Sequence, residues 1–254
     1  MTLPYRVDRT IDIRAPRETV FRFFTDAARW ASWWGAGSTI DPRPGGRLLI
    51  RYPDGTEASG EVLEVLAPEQ IAFTFGFVSG APIPAGGSRV TIRVAAEGAR
   101  TRVHLLHEFA EEGVRDELVQ GWRYQLALFA NVVANEAHAG AAEMVDAWFE
   151  AWREPDRIAM ERTLERVAVP GVRFRDRFGC TDGAADLVPH ISAAQRFMPG
   201  MRIERRGEAQ HCQGTTLVEW AAVTGENQER ARGTSVFEFG ADGRIESVTG
   251  FWRM

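Results

Sequence analysis

The sequence predicts an α+β protein built as two halves, and three observations carry that prediction. Gly113 to His138 places Val114, Leu118, Trp122, Leu126, Phe129 and Val133 at steps of four, four, four, three and four, which is one face of an amphipathic helix. Before it the chain alternates apolar and polar residues in short runs separated by turn residues. After it the order changes to helices first and a meander of strands last. The long helix therefore closes one folded unit, and the chain then begins another.

In chain order, Tyr5 to Arg14 sets Tyr5, Val7, Ile11 and Ile13 on one face, an edge-type strand. Ala15-Pro16 opens a short helix whose buried side carries Val20, Phe21, Phe23 and Phe24. Trp30, Trp33 and Trp34 crowd a helical turn ending at Gly35. Pro44-Gly45-Gly46 turns into a strand with Leu48, Ile50 and Tyr52, and Pro53-Asp54-Gly55 is a hairpin signal. Glu57 to Leu66 runs back, and Ile71 to Val78 carries Phe73, Phe75 and Phe77 on one face. The loop Ser79 to Ser88 is rich in Gly and Pro, and Arg89–Ala96 with Arg100–Phe109 forms a further hairpin. A curved antiparallel sheet around one long helix leaves a gap that becomes a pocket, with the Ser79–Ser88 loop as its entrance.

Beyond the helix, Glu143 to Arg153 puts Val145, Trp148, Phe149 and Trp152 on one helical face. Pro155-Asp156 starts a second helix, Val172, Phe174 and Asp176 alternate in a strand, and a third helix turns Leu187, Ile191, Ala194 and Phe197 inward. Strands over Met201–Gln210, Thr215–Thr224, Arg230–Phe239 and Arg244–Trp252 close the chain, the last two joined at Gly240-Ala241-Asp242-Gly243.

Composition narrows the function classes. The chain has 254 residues, 44% hydrophobic and 26% charged, with a formal net charge of −5 and no concentrated basic face, which argues against nucleic acid as a partner. No apolar run approaches a membrane span, and the N-terminus lacks a signal-peptide core, so a cytoplasmic protein with no membrane partner is expected. Every basic residue other than histidine is arginine, which excludes lysine-dependent covalent chemistry. Cys180 and Cys212 are expected to be buried free thiols. No nucleotide, metal or nucleophile-elbow motif occurs, so no cofactor and no metal is expected.

Resemblance to known families sharpens both halves. Ala15-Pro16-Arg17-Glu18-Thr19-Val20-Phe21, Trp33-Trp34-Gly35, Pro44-Gly45-Gly46, the run from Gly60 to Pro68, the run from Thr101 to His107 and Gly121-Trp122 resemble the START-like (SRPBCC) superfamily. The branch they are most similar to contains heat-shock-chaperone ATPase activators and polyketide-cyclase-like proteins. It implies a helix-grip fold over residues 1–138, with a hydrophobic cavity. The run from Trp148 to Trp152, that from Val172 to Asp176 and that from Gly233 to Trp252 resemble the SnoaL-like branch of the nuclear-transport-factor-2-like superfamily. That resemblance implies a cone-shaped α+β domain over residues 141–254.

Candidate site residues follow. Trp33, Trp34, Phe73, Phe75, His107 and Trp122 are expected to line the first pocket, and Trp148, Phe174, Ser235 and Trp252 the second. His104 and His107, three apart on a strand, point to opposite faces and make no metal pair. Asp176, by position, resembles the general base of ketosteroid isomerases, and with His190 it is the acid–base candidate. Trp148 and Ser235 stand where that family has its oxyanion donors, a departure that weighs against steroid isomerisation. The expected function is a two-domain pocket protein for a small apolar or polycyclic, polyketide-like compound. The alternatives are a cofactor-free cyclase, isomerase or dehydratase using Asp176, and a protein-interaction or chaperone-regulating module. A homodimer through the second sheet is a further expectation.

Overall fold

The computed structural model describes residues 3–226 and 228–253, so the outer limits of the two expected domains, residues 1 and 254, lie outside the described residues. The chain divides into two compact units, residues 1–134 and 135–254. Both are α+β, as the alternation and the helix-first second half require. Among the described residues no helix is long and apolar enough to cross a membrane.

The first unit is a seven-stranded antiparallel sheet in the order β1-β7-β6-β5-β4-β3-β2. Its strands are β1 (Tyr5–Ile13), β2 (Thr39–Ile40), β3 (Arg47–Arg51), β4 (Glu57–Leu66), β5 (Gln70–Phe77), β6 (Ser88–Glu97) and β7 (Arg100–Phe109). Two short helices, α1 (Arg17–Arg22) and α2 (Ala27–Trp34), separate β1 from β2. Asp26 caps α2 by accepting the Arg29 N–H at 2.9 Å, and Gly35 ends it at φ 144°, where any Cβ would strike the Arg51 carbonyl. The long helix α3 (Arg115–Ala137) follows a single 3₁₀ turn, Glu112–Val114. Its stripe of Leu118, Trp122, Gln125, Leu126, Phe129 and Val133 is buried. Phe129 meets Phe24 in a stacked pair at 4.9 Å, Phe23 edge-on at 6.0 Å and Trp33 at 4.9 Å, so the helix is anchored on the α1–α2 connection and on α2 through rings. Each such buried side chain contributes about 1.5–3 kcal/mol relative to exposure.

The second unit holds α4 (Ala141–Arg153), α5 (Arg157–Val167) and α6 (Ala184–Phe197) against a six-stranded sheet in the order β10-β11-β12-β13-β8-β9. Its strands are β8 (Ala168–Arg175), β9 (Cys180–Asp182), β10 (Arg202–Cys212), β11 (Thr215–Val223), β12 (Glu229–Phe239) and β13 (Ile245–Arg253). All neighbours are antiparallel except β13 and β8, which run parallel. The core packs Trp148, Phe149, Phe174, Leu187, Ile191, Trp220, Phe237 and Phe239.

Three local expectations are corrected. Cys180 and Cys212 are exposed, not buried, because they sit at the ends of the two outermost strands of the second sheet. Phe197 is 85% exposed, being the last residue of α6 and beyond the stretch that Leu187 and Ile191 bury. Asp176 is not within a strand, since β8 stops at Arg175.

Candidate functional site: a cavity under the long helix

The first unit holds a cavity of about 300 Å³ lined by residues of the β3–β4 turn, β5, the β5–β6 loop, α2 and α3. Its deep wall is apolar and buried: Trp34, Phe75, Leu118 and Trp122. Its mouth is exposed: Asp54 and Thr56 on the hairpin turn, Pro82 from the Ser79–Ser88 loop, and Glu117 and Gly121 on the first turns of α3. The rings stand edge to face. Trp34 meets Trp122 at 5.7 Å and 70°, and Tyr52 at 5.9 Å and 88°, while Phe75 meets Phe77 at 5.5 Å and 79°. Tyr52 and Phe77 are the exception, nearly parallel at 6.5 Å and 26° along one side.

Two polar groups shape the interior. Gln125 is buried and its amide N–H₂ donates to the Trp33 carbonyl, which joins α3 to α2 behind the cavity. Tyr52 lies beside the hairpin turn, and burial together with the Asp54 charge pushes its phenol pKa up, so the hydroxyl stays protonated at neutral pH. Asp54 accepts the Thr56 N–H at 2.9 Å, and that bond holds its carboxyl below the usual range.

His107 is fully buried but does not line the cavity; it stands behind the Trp122 wall. The Trp122 indole N–H donates to His107 Nδ1 at 2.9 Å, so that nitrogen must be an acceptor. Nε2 then carries the proton and donates to Ser88 Oγ at 2.8 Å, whose own hydroxyl donates to the Phe75 carbonyl at 2.7 Å. Burial pushes the imidazole pKa down to about 3. The ring is therefore a neutral brace that fixes one wall of the cavity. Trp34 differs, because its buried Nε1 has no hydrogen-bond partner among the described residues. Ring packing alone positions it.

Other sequence candidates fall away from this space. Trp33 is core: it packs on Phe24, Trp30 and Phe129, and its N–H points to the Phe23 carbonyl at 3.4 Å. Phe73 is fully buried edge-on under Trp30 at 5.9 Å, two residues short of the open end of β5. Trp34, Phe75 and Trp122 do line the cavity. Tyr52, Asp54, Thr56, Glu117, Gly121 and Gln125 are additional lining residues. One signal pointed to them. Leu118, Gly121, Trp122 and Gln125 share one helical stripe, and a glycine and an amide within an apolar stripe mark where the helix meets something other than packed side chains.

The core of the second unit is filled, and its roomier hollow, about 170 Å³, is a polar one lined by Arg173, Arg175, Glu238, Ser247, Val248 and Thr249. Trp148, Phe174, Ser235 and Trp252 do surround a void together with Asp176, but it measures about 30 Å³, and a neighbouring one about 40 Å³. That is room for a water or two, not for a polycyclic compound. The filling is done by indoles. Trp220 lies over Gly233, where a Cβ would come within 2.2 Å of its ring, and it meets Trp252 at 4.7 Å. Its N–H donates to Ser235 Oγ at 2.9 Å. The half-buried carboxylate of Asp176 accepts three N–H groups: the Phe178 and Gly179 amides at 2.7 and 2.8 Å on Oδ1, and the Trp252 indole at 2.9 Å on Oδ2. It closes a turn and tethers the last strand. His190 is not joined to it; its ring lies against Gly179, between Phe174 at 5.6 Å and Trp152 at 5.8 Å. His211 is likewise engaged, accepting the Gly214 N–H on Nε2 and contacting Asn135 through Nδ1. Among the described residues no group of three or more His, Cys, Asp or Glu is placed to hold a metal ion.

Known proteins resemble the chain over about half of its length. Residues 14–134, just under half of the chain, match the family model described as activator of Hsp90 ATPase homolog 1-like protein. A search of curated proteins returns no match. Solved structures similar to the chain include a SnoaL-like family protein from Agrobacterium tumefaciens strain C58, at 23% identity over 47% of this chain and 99% of that one, with a TM-score of 0.43. They also include the Aha1 dimer from Colwellia psychrerythraea, at 15% identity over 48% and 90%, TM-score 0.43. An Hsp90 activator from Plasmodium falciparum is similar at 24% identity over 46% and 86%, TM-score 0.40.

Proposed function

We propose that the first unit is a small-molecule receptor that takes a compact, ring-containing apolar ligand into the cavity beneath α3. The observation that carries this reading is the space itself: about 300 Å³, walled by buried Trp34, Phe75 and Trp122 and open at a polar mouth. Ligand sites are commonly concave, apolar and fitted with a few polar groups, and this cavity has all three properties. An apolar ligand falls to the first unit and not the second, because the voids beside Asp176 are an order of magnitude smaller and the second unit's hollow of about 170 Å³ is lined mainly by charged and hydroxyl side chains.

The test uses a residue whose replacement should not harm the fold. A Cβ on Gly121 meets nothing within 4 Å, and the position lies on the exposed side of the cavity mouth. Gly121→Phe should therefore fold and project its ring into the opening. Titration with naphthylmethanol, a neutral bicyclic probe, should give saturable heat and tryptophan quenching in the wild type and neither in Gly121→Phe. Equal binding by both proteins would place the ligand elsewhere.

The match of residues 14–134 to the chaperone-activator family model favours one further reading, contact between the first unit and a chaperone ATPase. Such contact would use the surface. Gly121→Phe should leave any stimulation of a chaperone ATPase unchanged while it blocks the cavity, so the two readings separate in one variant.

A further inference from the structure

The charge on the lining residues goes further than the shape. Twelve residues line the cavity; two of them, Asp54 and Glu117, are carboxylates and none is Arg or His. The chain has no lysine to reach in from elsewhere. The two carboxylates come from opposite walls, Asp54 from the β3–β4 turn and Glu117 from the first turn of α3. Both are exposed while the rings below them are buried, so the negative charge sits at the mouth and the π faces lie within. Neither carboxylate is ion-paired among the described residues. The nearby Arg51 is engaged with Glu57 at 2.8 Å on its own hairpin. Tyr52, beside Asp54, adds a neutral phenol oxygen.

We infer that the occupant of the cavity is an organic cation: a ring-bearing ammonium whose charged end lies between Asp54 and Glu117 and whose apolar end lies among Trp34, Tyr52, Phe75 and Trp122. This rests on the receptor reading above and specifies its ligand class. The chemistry is twofold. Aromatic faces attract a cation through the ring quadrupole, most strongly for indole. Two like-charged carboxylates with no base between them attract a cation and repel a carboxylate or phosphate, so anionic amphiphiles are selected against.

The test is calorimetric titration of the full-length protein with three probes that share one ring system and differ in charge: naphthylmethyl-trimethylammonium, naphthylmethanol and naphthylacetate. The cation should bind about tenfold tighter than the anion at low salt, with the neutral alcohol between, and the preference should shrink as salt screens the rim. The double variant Asp54→Asn, Glu117→Gln should lose most of the cation's advantage over the anion and all of its salt dependence, keeping only the smaller preference that the rings supply. Asn at position 54 can still accept from the Thr56 N–H, so the turn is kept. If the alcohol binds as tightly as the cation, or the anion binds best, the charge assignment is overturned and the receptor reading stands. If no probe binds, both are overturned.

Discussion

Each unit contains four tryptophans, and they do opposite things. In the first, Trp30 and Trp33 are packed beneath the surface of a cavity that Trp34 and Trp122 wall. In the second, Trp148, Trp152, Trp220 and Trp252 leave voids of about 30 and 40 Å³. Number of rings does not decide between a hollow and a solid interior. What decides is the backbone opposite them. Gly233 lets Trp220 settle flat onto β12 and reach Trp252, which closes the second unit. In the first, the hairpin turn at Asp54 and the glycine at 121 lie at the open end of the cavity, and the hydrogen bond from Trp122 to His107 keeps that indole against the wall.

The comparison breaks most visibly if the solid unit is emptied. Trp220→Ala removes a buried ring and its bond to Ser235 from a site that its neighbours cannot collapse onto. The expected cost is about 3–5 kcal/mol, measured as a shift of the urea midpoint in the transition that reports the second unit. Ligand binding by the first unit should be unchanged under native conditions. A cost below about 1 kcal/mol would mean the second interior is loose and the two units do not differ in packing.

Acid should next distinguish the brace in the hollow unit. Burial depresses the His107 pKa from 6.5 to about 3, so below pH 6.5 the unfolded chain takes up a proton that the folded chain refuses. Its contribution to stability is complete above that pH and is lost progressively as pH falls toward 3. The slope is about 1.4 kcal/mol per pH unit at most, or about 2–3 kcal/mol over the first two units. A protonated ring would also set its Nδ1 hydrogen against the Trp122 N–H. Denaturant titrations from neutral to mildly acid pH, wild type against His107→Phe, should show this slope only in the wild type. Parallel pH dependence in the two proteins would show that the buried imidazole titrates freely.

Much of the fold was legible because strands and turns leave local marks. The alternations of β1 and β4, the Pro53-Asp54-Gly55 hairpin and the stepped stripe of α3 are each decided within a few residues. Which rings face a cavity is not local. Phe73 and Phe75 share a strand face, yet only Phe75 lies beyond the reach of Trp30. Trp33 and Trp34 are adjacent, yet a helical step of about 100° turns one into the core and the other to the cavity. Asp176 had the sequence environment of an inward acid, but a single strand pattern cannot show that three N–H donors from the following turn and from the last strand already occupy it.

The two cavity tryptophans offer a finer comparison. Trp122→Phe leaves His107 Nδ1 buried without a donor, whereas Trp34→Phe removes an N–H that had no partner among the described residues. Both changes remove a similar area of ring, so the difference between them isolates the hydrogen bond. Trp122→Phe should be the more destabilising by about 1–2 kcal/mol in urea unfolding. Equal costs would mean that His107 does not brace the wall.

The smallest effect expected is a gain. Gly121 lies within α3, where glycine costs up to about 1 kcal/mol relative to alanine, and a Cβ there meets nothing. Packing therefore does not require the glycine, and its place on the cavity mouth is what remains to account for it. Gly121→Ala should raise stability by about 0.5–1 kcal/mol while narrowing the opening and slowing ligand entry in stopped-flow quenching. A helix that gains stability while the cavity loses access would mean that the open mouth is maintained at the expense of the fold. A variant that gains stability and binds at the wild-type rate would show that the glycine plays no part in access.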